Sequence, residues 1–227
     1  MKDGLVIVGG CYAAAQIAAS AREAGYGEPI RLVSEEAFAP YQRPPLSKGF
    51  LTGKMPQTAL PLRGEAFYRD NAVELLLGTR AAHIDRVGRT VETAAGARLR
   101  YDKLALAVGA RPRPLPLAGS DLEGVLELRS LADALAIRER LPQVSSVAII
   151  GGGFIGLEAA SALTALGKSV TVIEAQERLL MRAIAPRLAE FLADAHRRRG
   201  VRLLLRTTVR EIKGDGGHVR AVVTSDS

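Results

Sequence analysis

The chain has 227 residues, 48% of them hydrophobic and 24% charged, enough to bury one large core or two modest ones. Its single cysteine, Cys11, excludes an intramolecular disulfide and a paired-thiol redox centre, and no apolar run approaches the roughly 20 residues of a membrane helix. A net charge of +7 would permit nucleic acid, but the basic residues are scattered and tryptophan is absent, so no nucleic-acid partner is expected.

Met1-Lys2-Asp3 leads straight into a strand-like segment rather than a signal peptide, which points to a cytoplasmic protein. Leu5 to Val8 is a short apolar strand, followed by the turn Gly9-Gly10-Cys11-Tyr12-Ala13-Ala14, an alanine-rich helix to about Glu23 and a strand from Ile30 to Val33 before Ser34-Glu35-Glu36. A polar, proline-rich excursion runs from Phe38 to Arg63. The pattern then predicts a short helix near Glu65 to Asn71 and β pieces around Val73 to Leu77, His83 to Asp85 and Leu99 to Tyr101. A buried strand is expected over Lys103 to Val108, ended by Gly109-Ala110-Arg111-Pro112-Arg113-Pro114, where proline forbids a helix.

Val147 to Ile150 starts the plan again. It continues through Gly151-Gly152-Gly153-Phe154-Ile155-Gly156, a helix to about Leu166 and the strand Val170 to Ile173 ending at Glu174. A helix over Ala185 to Arg199, closed by Gly200, a strand over Val201 to Leu205 and a hairpin around Gly214 to Gly217 complete the pattern. The fold class is therefore α/β: two Rossmann-like nucleotide-binding units with parallel sheets and small antiparallel β insertions, divided at 1–115 and 116–227. His83, His196 and His218 lie far apart with no ligand-spaced neighbours, so no metal site is expected.

In a G-x-G-x-x-G turn the first glycine makes the bend, the second admits a pyrophosphate, and the third lets helix and strand pack closely. Gly151, Gly153 and Gly156 occupy those places, and Glu174 follows 23 residues after the first, where a ribose contact belongs. A carboxylate there accepts hydrogen bonds from a ribose 2′-hydroxyl and repels a 2′-phosphate, so NADH is favoured over NADPH; Arg178 and Arg182, close behind, leave the phosphate possible. In the first turn Gly9 fits and Ala14 is an acceptable small third residue. Cys11 takes the second-glycine place and adds a side chain facing the pyrophosphate, so the turn either binds a dinucleotide or has lost it.

The segment Pro40-Tyr41-Gln42-Arg43-Pro44-Pro45-Leu46-Ser47-Lys48 resembles the flavin-proximal segment of the FAD-dependent ferredoxin reductases that serve ring dioxygenases and bacterial P450 enzymes. Gly151 to Glu158 and Ala107-Val108-Gly109-Ala110-Arg111-Pro112 are similar to the same family. That resemblance implies FAD and NADH as cofactors. Gly9, Cys11 and Ala14 would lie at the FAD pyrophosphate, Glu35 (with Glu36 as fallback) at the adenosine ribose, and Arg43, Lys48 and Gly109 around the flavin. Lys48 would pair with Glu158, expected in the first turn of its helix, as the catalytic pair beside the isoalloxazine, while Phe154 and Ile155 would approach the nicotinamide. A surface lysine and a core phenylalanine are the bland alternatives at Lys48 and Phe154.

The activity implied is electron transfer from NADH through FAD to a 2Fe-2S ferredoxin, with a rubredoxin or nitrite system as the alternative enzyme and a non-catalytic NADH-binding module as the alternative of another class. Family members return after the NAD unit to complete the FAD domain. No such segment follows Ser227, and a last NAD-unit strand is missing, so the chain reads as truncated, with weakened FAD binding expected.

Overall fold

A computed structural model describes residues 3–225, so the expected leaderless start at Met1-Lys2 and the stop at Ser227 lie outside the described residues. Contacts divide the chain into two compact units, one of Met1–Gln42 with Thr58–Arg111 and one of Arg43–Gln57 with Pro112–Ser227.

The first unit is built on β1 (Leu5–Val8), α1 (Tyr12–Glu23), β2 (Ile30–Val33), α2 (Glu65–Asp70) and β3 (Val73–Leu76). A meander of β4 (Ala81–Asp85), β5 (Thr90–Thr93) and β6 (Arg98–Arg100) precedes β7 (Lys103–Leu106). The main sheet has the order β3-β2-β1-β7 with every pairing parallel. Successive strand residues point to opposite faces, and both faces of β1 are covered, which is why it is apolar throughout. Leu5 and Ile7 pack with Ala14 and Ala18 of α1 and Tyr68 of α2. Val6 and Val8 pack with Val33, Val91 and Tyr101 on the side of the antiparallel meander. Alanines let α1 lie close to the sheet: Ala14, Ala15, Ala18 and Ala19 are all buried.

The strand expected to be buried over Lys103 to Val108 is neither so long nor so covered. It ends at Leu106, and Leu106 and Val108 are 60% and 68% exposed. Among the described strands β7 pairs only with β1, so it is an edge strand.

In the second unit Pro44–Ser47 forms a single 3-10 turn, followed later in the chain by α3 (Leu131–Arg140), β8 (Ser146–Ile150), α4 (Phe154–Ala165), β9 (Ser169–Ile173), α5 (Pro186–Arg198) and β10 (Arg202–Leu204). A hairpin of β11 (Val209–Asp215) and β12 (His218–Thr224) ends it. The parallel sheet runs β10-β9-β8. Its core joins Ala159, Ala160 and Leu163 of α4 to Val170, Val172 and Val201, with Leu51 of the proline-rich segment added. That segment is further held by the Arg138 guanidinium stacked 4.7 Å from the Phe50 ring centroid.

Helix α3 was not anticipated, although its start is written in the residues. Ser130 Oγ accepts from the Asp133 backbone N–H at 3.2 Å while Asp133 Oδ2 accepts from the Ser130 N–H at 2.7 Å, a reciprocal capping box. No described helix is long and apolar enough to cross a membrane.

Candidate functional site

Each unit carries one glycine turn between a strand and a helix. In the second, Gly151 has φ +109°, a conformation that side-chain-bearing residues rarely adopt. A Cβ on Gly156 would stand 2.2 Å from the Gly151 carbonyl oxygen, so the third glycine is what sets α4 against β8. A Cβ on Gly153 would meet nothing within 4 Å, so the second-glycine place faces open space. Gly153 is also the N-cap of α4 and supplies no side-chain acceptor, which leaves the first N–H groups of the helix for an external anion.

The carboxylate of Glu174, at the end of β9, is held at both oxygens. Oε2 accepts from the Gly152 N–H and Oε1 from the Gln176 N–H, each at 2.7 Å. This assigns Gly152 a part that the motif alone does not: its Cβ would lie 2.7 Å from Leu179 Cδ2 and 3.2 Å from Glu174 Oε2. A cavity of about 240 Å³ opens beside Gly151, Glu174, Leu117 and Thr207. Arg178 donates to the carbonyls of Ile184 and Met181 at 2.9 and 2.8 Å, so its guanidinium is committed to the loop. Phe154 and Ile155, 57% and 48% exposed, open the helix; the alternative of Phe154 as a core residue is not met.

In the first unit Gly9 has φ +124°, and a Cβ there would lie 2.0 Å from the Ala107 carbonyl oxygen. A Cβ on Gly10 would lie 2.3 Å from Ser34 Oγ, so the turn is wedged between the segments that follow β7 and β2. The Cys11 Sγ donates to the Ala107 carbonyl at 3.1 Å, so the thiol, expected to face a pyrophosphate, is turned toward the sheet end. Ala14, placed at the pyrophosphate by resemblance, is fully buried in the helix–sheet core, because a third-position residue serves close packing. Cys11 is the N-cap of α1 and makes no side-chain cap, so the first N–H groups of this helix too are left for a ligand. Glu35 is exposed, with Oε2 at 2.6 Å from Arg111 Nη2, whereas Glu36 accepts from the Tyr41 hydroxyl. Gly109, beyond β7, has φ +67°.

Lys48 and Glu158 come together within the second unit. Lys48 Nζ lies 2.7 Å from Glu158 Oε2, and the buried Ser47 hydroxyl donates to the same oxygen at 2.5 Å. Lys48 Nζ also donates to the Pro44 carbonyl at 3.2 Å, closing the 3-10 turn on itself. Partial burial pushes the Glu158 carboxyl up, but the hydrogen bonds from Lys48 and Ser47, with the ammonium's charge, outweigh it and hold the group below the usual carboxylate range. Glu158 is the fifth residue of α4 rather than a first-turn residue, so its partners are these side chains and not the helix amides. Ser47 was missed by sequence reasoning, where only its place beside Lys48 could have signalled it. Arg43 donates to the Arg129 carbonyl at 2.8 Å, a bond that ties the proline-rich segment to the start of α3.

A family model described as pyridine nucleotide-disulphide oxidoreductase matches residues 3–227. The chain is 44% identical over 220 residues to a rubredoxin-NAD(+) reductase of Pseudomonas putida, covering 96% of this chain and 57% of that protein. It is 41% identical over 210 residues to the ferredoxin reductase subunit of a 5,5'-dehydrodivanillate O-demethylase of a Sphingobium species, covering 92% and 51%. The crystal structure of the ferredoxin reductase for the CYP199A2 system of Rhodopseudomonas palustris superposes with a TM-score of 0.94 at 39% identity, covering 99% of this chain and 55% of that one. The chain thus spans about half the length of the relatives it matches.

Gly156→Ala should displace α4 from β8 and lower the affinity of any dinucleotide held on this turn, titrated with NADH as the probe, by about tenfold or more, roughly 1.4 kcal/mol; unchanged affinity would show that the close contact is not needed for the turn. Because the Glu158 carboxyl is lowered in the folded chain, its contribution is complete above the ordinary carboxylate range and is lost as pH falls through the lowered value. Limited proteolysis within 43–57 should therefore accelerate in acid, and Glu158→Gln should remove most of that pH dependence.

Proposed function

The chain belongs to the pyridine nucleotide-disulphide oxidoreductase family, and from that membership we propose that it serves NADH-dependent reduction of a small iron-sulfur carrier through FAD. The observation that carries this reading is the Lys48–Glu158 pair, 2.7 Å apart and fastened by Ser47, because two side-chain donors converge on one oxygen of a partly exposed carboxylate at the helix that follows the second glycine turn. Bound FAD would supply the conversion of a two-electron donor into single-electron output. Gly9, Glu35 and the uncapped amides of α1 would hold its adenine dinucleotide end, and Gly151, Gly153, Glu174 and the amides of α4 would hold NADH.

Lys48 would supply positive charge to a reduced flavin ring, and Glu158, fastened by Ser47, would hold its ammonium in a fixed direction. Phe154 and Ile155, exposed at the start of α4, offer apolar area to a nicotinamide. The fixed carboxylate of Glu174, with Arg178 engaged elsewhere, supports NADH over NADPH. These 227 residues hold a single cysteine, so they contain no dithiol pair of their own.

A ferredoxin fits the names of several relatives, a 2Fe-2S ferredoxin being the kind that the sequence resemblance implies, and the excess of basic residues in the first 120 positions, 16 against 11 acidic, would steer an acidic carrier. A rubredoxin is the second reading, favoured by the 44% identity to a rubredoxin reductase. A cytoplasmic location suits a protein that draws on NADH.

The purified chain should take up FAD, and anaerobic NADH should bleach the flavin's visible absorbance. Lys48→Met should lower the flavin midpoint potential and slow the bleaching. Intact NADH binding without flavin uptake would leave only a binding module, and an unchanged potential in the variant would remove Lys48 from the redox site.

A further inference from the structure

The three strands β2, β1 and β7 lie side by side in that order, and the segments leaving β2 and β7 flank the first glycine turn. Ser34 presses on Gly10 from one side and the Ala107 carbonyl on Gly9 from the other. The next charged side chains along those same two segments, Glu35 and Arg111, meet each other: Arg111 Nη2 donates to Glu35 Oε2 at 2.6 Å. The ion pair joins residues 76 apart in sequence and crosses the carboxyl end of β1, where a doubly wound sheet receives its ligand.

The second Glu35 oxygen is differently placed. Arg80 Nη1 is 3.8 Å from Oε1, beyond hydrogen-bond range, and Oε1 accepts no hydrogen bond among the described residues. A carboxylate with one oxygen anchored and the other open is suited to receive a ribose hydroxyl, which needs an acceptor in a fixed direction. The second unit achieves this differently, since both Glu174 oxygens take backbone N–H groups there. Glu35 has no such backbone support, and it is held by a side chain brought in from β7.

We propose that Arg111 is a positioning residue for the first nucleotide site: by anchoring Oε2 of Glu35 it presents Oε1 to the adenosine ribose of the flavin dinucleotide. This rests on the reading of the first unit as the FAD site. An ordinary exposed ion pair of this kind contributes little to folding, so its removal should register in ligand affinity rather than in stability.

The test is FAD affinity of the full chain, followed by quenching of flavin fluorescence, for the wild type, Arg111→Met, Arg111→Lys, Glu35→Gln and the double variant Glu35→Gln/Arg111→Met. Arg111→Met should weaken FAD by about threefold or more with an unchanged thermal midpoint, a size set by one charged hydrogen bond at a partly exposed site. Arg111→Lys should restore most of the loss, since one donor to one oxygen is all that is required. In the Glu35→Gln background the second change should add little. Equal FAD affinity in Arg111→Met would make the pair an idle surface contact and overturn the proposal. Losses that add in the double variant would overturn it as well, because Arg111 would then act on the ligand directly. A wild-type chain that binds NADH but quenches no flavin would sink the FAD reading itself, and the role of Arg111 with it.

Discussion

In both units the first sheet strand runs into its helix through a glycine turn, and each unit is organised around the way that turn is held in place. Cys11 and Gly153 are the N-caps of α1 and α4, and neither side chain satisfies the amides behind it. Such a start leaves the first amides open to water or to an anion. The rest of each unit follows from holding that start still. The third position must be small enough for helix and strand to touch, which Gly156 meets by having no Cβ, since one would stand 2.2 Å from the Gly151 oxygen, and Ala14 meets with a single buried methyl group. The flanking strands must then hold the turn from the sides, as Ser34 and Ala107 do in the first unit and Glu174 does in the second.

The two cradles solve the same problem with different materials. In the second, the acid at the end of β9 is locked by two backbone amides and all three glycines of the turn are present. In the first, the thiol of Cys11 hydrogen-bonds Ala107, and Arg111 holds the acid. A cysteine in a second-glycine place can therefore have its side chain turned aside by an acceptor at the sheet end.

The proline-rich segment shows how an ion pair is assembled from residues far apart in the chain. Pro44 and Pro45 stiffen a single 3-10 turn, and that turn aims Ser47 and Lys48 at one oxygen of Glu158. Phe50 under Arg138 and Leu51 in the α4 core hold the turn in place. The carboxylate is thus kept ionised in spite of its partial burial, by donors rather than by exposure.

Much of this was legible before any coordinate. The 2-fold repeat of strand, glycine turn, helix and acid follows from local periodicity, because burial on both faces of a parallel strand forces an apolar run and the turn chemistry admits few residues. Helix α3 was legible too, through Ser130 and Asp133, but its weak apolar pattern hid it. What only the tertiary structure decided is what side chains do across distance. That residues 43–57 pack with the second unit, that the Cys11 thiol points inward, that Ser47 shares Glu158 with Lys48 and that Leu106 lies on an open edge all depend on which segments become neighbours. Local sequence sets which backbone shapes are cheap; the partner of a thiol, a hydroxyl or a guanidinium is chosen by residues up to 111 positions away, and no period along the chain records that choice.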